Sequence, residues 1–162
     1  IPWISGADFS NQTVGVFRRH ITPEAVKNSA TNVIPKGALL VVTRTGVGKL
    51  AIAPVDITIS QDITGIIPKA SRISAEFMFW MLNLYIGKLK ANHQGTSING
   101  ILREDLESFL LPIPPLPEQH KITSVLMGCD DSLNKQDLSL TKLTALKKSL
   151  MNMLLTGKVR VS

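Results

Sequence analysis

The stretch Thr45-Gly46-Val47-Gly48-Lys49-Leu50 sets a lysine behind two glycines, the residue types with which a loop cradles phosphate. The nucleotide-binding form of that loop needs glycine at position 43, where this chain has Thr43, and Ser or Thr after the lysine, where it has Leu50. Without that hydroxyl there is no usual magnesium ligand. The glycines read instead as a turn between strands, with Lys49 still able to touch a phosphate. Asp56 and Asp62 are the carboxylates a metal-dependent nuclease would use, yet no Glu-x-Lys element follows them. His20, His93 and His120 lie far apart with no ligand-like spacing, and Cys129 is the single cysteine. One cysteine forms neither an intrachain disulfide nor a cysteine-based zinc cluster. No glycine-rich strand-to-helix turn offers a nucleotide-type cofactor a seat. Pro114-Pro115 lacks the preceding Asn or Asp and the following aromatic that amino-methyltransferases place around a target base. The expectation is a chain with no catalytic residue, no metal and no cofactor of its own.

What the chain does carry is positive charge. Eighteen Lys and Arg against twelve Asp and Glu give a formal charge of +6, which favours an acidic partner such as nucleic acid over an acidic surface. No apolar run approaches the roughly 20 residues that cross a bilayer. The opening Ile1-Pro2-Trp3-Ile4 lacks the basic and apolar regions of a signal peptide, so the expected setting is the reducing cytoplasm. The first residue is not Met, and the expectation is a fragment with residues missing upstream.

The elements that must position these residues fall into two regions. Up to about Pro112, short apolar runs alternate with Gly, Pro, Asn and Thr, the pattern of a compact mixed domain. Pro35-Lys36-Gly37 marks a turn before a buried strand over Ala38–Thr43. Leu50–Ala53, Ile57–Ile59 and Gln61–Ile67 predict further strands. Ser74 is placed to cap a helix running to about Leu89, with Phe77, Trp80, Met81, Leu84 and Tyr85 on its core face. Arg103–Phe109 predicts a short helix, and the fold class is α+β. Pro112, Pro114, Pro115 and Pro117 then deny backbone donors and hold the chain extended.

Beyond that connector the apolar residues recur at helical spacing. Ile122, Leu126, Cys129, Leu133, Gln136, Leu140, Leu143, Lys147, Leu150 and Leu154 follow alternating steps of four and three, the spacing of a coiled-coil seam. Gln136 and Lys147 interrupt it, as polar residues that fix register or partner number do. A helix of this length rises roughly 58 Å, too long to lie wholly against so small a domain, so its stripe calls for another helix. Gly157 reads as the helix stop.

Certain stretches closely resemble type I restriction specificity subunits. They are Gly95-Thr96-Ser97-Ile98-Asn99-Gly100-Ile101, then Asp105-Leu106, then Leu111-Pro112-Ile113-Pro114-Pro115-Leu116-Pro117-Glu118-Gln119-His120-Lys121-Ile122. In that family a target recognition domain runs through a Gly-Thr/Ser-x-Ile loop into a Pro-Pro-Leu-x-Glu-Gln signature that opens a long helix. Leu154-Leu155-Thr156-Gly157-Lys158-Val159-Arg160-Val161 is similar to the family's close of that helix. Ile1-Pro2-Trp3-Ile4 with Asp8, Ile34-Pro35-Lys36-Gly37, Gly48-Lys49 and Gln61 are similar to earlier parts of such domains. A full subunit carries two recognition domains and two long helices, and this chain has one of each. It therefore looks like a half-subunit or C-terminal fragment.

The resemblance implies a recognition domain over 1–112, a proline-rich connector over 113–117, a long coiled-coil helix over 118–157 and a tail over 158–162. It implies antiparallel pairing of long helices, here in a homodimer, through Ile122, Leu126, Cys129, Leu133, Gln136, Leu140, Leu143, Leu150 and Leu154. The implied partners are double-stranded DNA, DNA adenine methyltransferase subunits and a restriction/translocase subunit. Arg18, Arg19, Arg44, Lys49, Lys88 and Lys90 are the candidates for backbone phosphates. Arg44, Gln94, Thr96, Ser97 and Asn99, in or beside glycine-containing loops, are the candidates for base edges. Two alternatives stay open. One is a coiled-coil interaction protein, such as a remnant or inhibitor of a restriction complex, without specific DNA binding. The other is the recognition part of a nuclease or methyltransferase enzyme.

Overall fold

The computed structural model describes residues 1–10, 12–91 and 100–161. The chain divides into two compact units, Ile1–Lys121 and Ile122–Ser162. The first is a mixed α+β unit, and a long helix, α4 (Leu116–Leu155), occupies most of the second.

The first unit is organised around β6 (Leu39–Val42), whose four residues are all buried. It is the middle strand of an antiparallel sheet, between β7 (Leu50–Ile52) and β9 (Ile63–Ile66). Because side chains alternate across a strand, an unbroken apolar run is satisfied only by cover on both faces. Both faces are covered here. Leu39 and Val41 join Leu50 in packing on α2 (Ala75–Ala91), through Phe79, Leu82 and Leu89. Leu40 and Val42 pack with Ile4, Phe9, Val14, Ile34 and Ile57.

Ile4, Ile34 and Ile57 come from a second sheet, ordered β4 (Arg19–His20), β1 (Pro2–Ile4), β8 (Ile57–Ile59) and β5 (Val33–Ile34). In it β1 and β8 run parallel and the outer pairs antiparallel. A two-stranded hairpin of β2 (Phe9–Ser10) and β3 (Thr13–Val14) and the short α1 (Pro23–Lys27) and α3 (Arg103–Ser108) complete the set. The Pro35–Gly37 turn is held by Ala38 N–H on the Pro35 carbonyl and by Lys36 N–H on the Asp56 carboxylate, 2.8 Å away.

Three expectations shift. The core face of α2 matches the Phe77, Trp80, Met81, Leu84, Tyr85 stripe only in part: Phe77 is buried and Trp80 packs against the core, but Leu84 is 70% exposed, and Phe79, Leu82 and Leu89 are buried outside the stripe. The helix is apolar nearly all round, so spacing permits several faces and the sheet selects one. Tyr85 is drawn instead to Phe109, ring centroids 5.4 Å apart. The long helix begins at Leu116, two residues before the expected start, with Pro117 in its first turn. Proline fits there because first-turn N–H groups have no intrahelical partner to lose. Finally, β1 to β5 were not foreseen: they are two or three residues each and, unlike the equally short β7 and β8, are not set off as apolar runs between turn residues. Ser74 does cap α2, its hydroxyl accepting from Phe77 N–H at 3.1 Å.

Candidate nucleic-acid interface

The glycine-containing stretch after β6 is a turn closed at both ends: Val42 N–H donates to the Lys49 carbonyl and Gly48 N–H to the Val42 carbonyl. Gly48 has φ +91°, which L side chains rarely adopt. A methyl group there would fall 2.0 Å from Cε of Lys90, so the end of α2 brings a second lysine against the turn. On the other side Ile101 N–H donates to the Thr43 carbonyl at 2.9 Å. A Cβ at Gly100 would sit 2.7 Å from that same carbonyl oxygen, too close for any residue but glycine unless the backbone moves. Arg44, next to Thr43, is exposed.

Lys49 links this turn to a second one. Its ammonium donates to the Gly6 carbonyl at 3.1 Å, and Gly6 opens a 3-10 turn over Gly6–Asp8. A Cβ at Gly6 would lie 2.8 Å from the Thr45 carbonyl oxygen, so the two turns touch. Asp8 closes this turn with its side chain only 1% exposed. Oδ2 accepts from Ser5 N–H (2.9 Å), the Ser5 hydroxyl (3.0 Å) and Nη2 of Arg19 (3.0 Å). Oδ1 accepts from Nε of Arg18 at 2.8 Å and faces its Nη2 at 2.6 Å. Burial by itself would raise the Asp8 pKa. The backbone N–H of Ser5, then Arg18, the Ser5 hydroxyl and Arg19, outweigh it and bring the group down to about 2. Asp8 is a carboxylate at neutral pH.

Five cations thus gather around two adjoining turns: Arg18, Arg19, Arg44, Lys49 and Lys90. Asp8, the carboxylate that Arg18 and Arg19 share, is buried, while the two arginines remain 58% and 47% exposed. Such a surface suits a polyanion.

The comparison with known proteins settles the family. Residues 1–142 match the family described as type I restriction modification DNA specificity domain. The chain belongs to that family. Over 144 residues it is 30% identical to the type I restriction enzyme MjaIX specificity subunit of Methanocaldococcus jannaschii, which covers 84% of this chain and 32% of that protein. Over 140 residues it is 31% identical to the type I restriction enzyme EcoR124I/EcoR124II specificity subunit of Escherichia coli, covering 83% and 34%. The crystal structure of the HsdS subunit from Thermoanaerobacter tengcongensis is similar with a TM-score of 0.69, over 94% of this chain and 36% of that one. At 19% identity that likeness is one of fold. The chain spans about a third of the length of the curated relatives it matches.

In this DNA specificity domain the expected contact residues separate into groups. Arg18, Arg19, Arg44, Lys49 and Lys90 come together at the two turns. Lys88 does not join them through any contact among the described residues; its ammonium sits 5.1 Å from the Tyr85 ring centroid. Gln94, Thr96, Ser97 and Asn99 lie outside the described residues, as does His93. His20 and His120 are exposed. No group of three or more His, Cys, Asp or Glu that could hold a metal occurs among the described residues, and no described helix is long and apolar enough to cross a membrane.

Along α4, Ile122, Cys129, Leu133, Gln136, Leu140, Leu143, Lys147, Leu150 and Leu154 are exposed, and Leu126 is half-buried. Leu146 and Met151 widen the apolar strip beyond the seam, and with Leu143, Leu150 and Leu154 they line a shallow trough of about 380 Å³.

Two residues of consequence escaped the sequence reading of roles. Asp8 meets Arg18 and Arg19 only because β1 pairs with β4, setting Trp3 opposite Arg19, and no local spacing encodes that. Gln119 is fully buried: its Nε2 donates to the carbonyls of Arg72 and Pro114 at 2.8 Å, and its Oε1 accepts from Ser74 N–H at 2.9 Å. Its place in the Pro-Pro-Leu-x-Glu-Gln signature was the available signal, but spacing gave it no task.

Proposed function

We propose that this chain is one recognition half of a cytoplasmic type I specificity subunit, reading one part of a bipartite duplex target and carrying no chemistry itself. The observation that carries this reading is the gathering of Arg44, Lys49 and Lys90 at one turn, which Lys49 ties to the turn that carries the Arg18 and Arg19 pair. Phosphate contacts from the cations fix orientation without reading sequence. Base edges fall to Arg44, Gln94, Thr96, Ser97 and Asn99, whose donors and acceptors suit the major-groove pattern. On this reading 1–112 is the recognition domain, 113–117 the connector, 118–157 the pairing helix and 158–162 a tail.

The helix serves as spacer. Its exposed leucine seam pairs antiparallel with the seam of a second copy, so that two recognition domains engage separate parts of the target. A rise of about 60 Å over 40 residues is ample for sites a turn of B-DNA apart, roughly 34–36 Å. Adenine methyltransferase subunits, and with them a restriction/translocase subunit, dock on this scaffold and supply the catalysis.

Selection from a random duplex pool, with the purified chain alone and with the methyltransferase subunits of the same system, tests the reading. Enrichment of a defined half-site, duplicated about a centre in the bound pool, is the expected result. Uniform binding that fades with salt and enriches nothing would overturn it in favour of an interaction protein without specific recognition.

A further inference from the structure

Two arginines on one buried carboxylate leave a surplus positive charge, and here both guanidiniums stay at the surface. Arg19 is held on three sides. Its Nη2 donates to Asp8 and to the Ser5 hydroxyl at 2.8 Å, and its Cζ stands 4.2 Å from the Trp3 ring centroid. Arg18 is held by Nε and Nη2 on the other Asp8 oxygen. A free arginine forfeits rotamer freedom when it grips an anion, whereas one already fixed by its own fold forfeits little. The turn that carries Asp8 also receives the Lys49 ammonium, which ties the pair to the turn after β6.

We propose that Asp8 is a positioning residue that presents Arg18 and Arg19 as a preorganised clamp for the sugar-phosphate backbone of duplex DNA. The inference rests on the DNA-recognition reading above and adds to it a role for an acidic residue. Fixed guanidiniums match phosphate oxygens with paired N–H donors, and the carboxylate behind them is shielded from the anion by burial. Asp8 itself does not touch DNA.

The substitution Asp8→Asn separates positioning from simple electrostatics. Removing a negative charge from a basic face should tighten DNA binding if charge alone mattered. Loss of positioning should weaken it, by about tenfold at fixed salt when two side chains must be ordered anew. Binding of the full-length chain to a random-sequence duplex is measured across a salt series, with thermal unfolding run on every variant. Arg18→Gln and Arg19→Gln keep Asp8 in place and test the phosphate contacts that the clamp requires even if Asp8→Asn fails to fold. Each should reduce the slope of log affinity against log salt by about 0.9, one phosphate contact. A folded Asp8→Asn that binds as well as or better than the native chain overturns the clamp and leaves the DNA reading standing. So do slopes unchanged by both arginine substitutions. A native chain that binds no duplex at any salt overturns both.

Discussion

Leu40 and Leu140 are the same side chain in two regions built on opposite terms. Leu40, in β6, is fully buried between a second sheet and the rest of its core, while Leu140, on α4, is 64% exposed. The first unit buries a core of its own, from Ile4 through Leu39–Val42 to Leu89 and Ile101. The helix leaves Leu133, Leu140, Leu143, Leu150 and Leu154 open along one strip. Apolar content therefore does two kinds of work in this chain: in the first unit it creates the fold, and in the second it advertises a surface. The contrast breaks most plainly under truncation. Leu40→Ala should cost about 3 kcal/mol in chemical unfolding, transfer loss plus an unfilled cavity. Leu140→Ala in dilute protein should move the same measurement by less than about 0.5 kcal/mol. At concentrations where a helix partner is engaged, Leu140→Ala should instead weaken association in sedimentation, and a Leu140→Ala chain indistinguishable from native at every concentration would remove Leu140 from the seam.

Two glutamines on the same helix sharpen the comparison further. Gln119 is sealed in the first unit and satisfies Ser74 N–H and the carbonyls of Arg72 and Pro114, whereas Gln136 is exposed. Removing one partner from a buried network leaves the others without water or protein to replace it, a cost larger than the hydrogen bond itself contributes. Gln119→Ala should therefore lose about 2 kcal/mol, read from the denaturant midpoint. Gln136→Ala should be neutral within about 0.3 kcal/mol in dilute protein, since alanine is at least as good in a helix. Equal effects at the two positions would show that the start of α4 is not anchored as its hydrogen bonds indicate.

Legibility followed the same division. β6, β7, β8, β9, α2, α3 and α4 announced themselves through apolar runs, helical spacing and proline, because each is long enough or punctuated enough for its own residues to decide its form. The strands β1 to β5 depend on partners distant in the chain, as when Trp3 aligns with Thr58 on one side and Arg19 on the other. The α2 face was legible only at Phe77 and Trp80 for a related reason: a helix apolar nearly all round carries little phase, and the sheet supplies it. At the candidate site, the basic residues were legible as types but their assembly was not. Lys49 and Lys90 are 41 positions apart and come to the same turn because β6, β7 and α2 share a core. Asp8 was hidden most deeply, since its importance lies in the arginines a strand pairing delivers to it.

That hidden carboxylate offers the smallest and most specific test of how the recognition unit differs from the helix. Asp8 has a folded pKa lowered from 3.8 to about 2 by the hydrogen bonds that outweigh its burial. A group whose pKa falls on folding binds its proton more weakly in the native state. Its contribution is therefore fully present above the unfolded value and disappears as pH drops through the folded one. The window runs from just above pH 4 down to pH 2. The shift corresponds to about 2 kcal/mol at most, and to less once solvent screening of the half-exposed arginines is allowed for. Denaturant unfolding of the native chain should lose that increment across the window. The Asp8→Asn chain should start lower at neutral pH and descend less steeply, the two curves converging near pH 2. Parallel curves would mean that the carboxylate is no better held in the folded unit than in the unfolded chain, and the ion-pair fork at its surface would then contribute no stability.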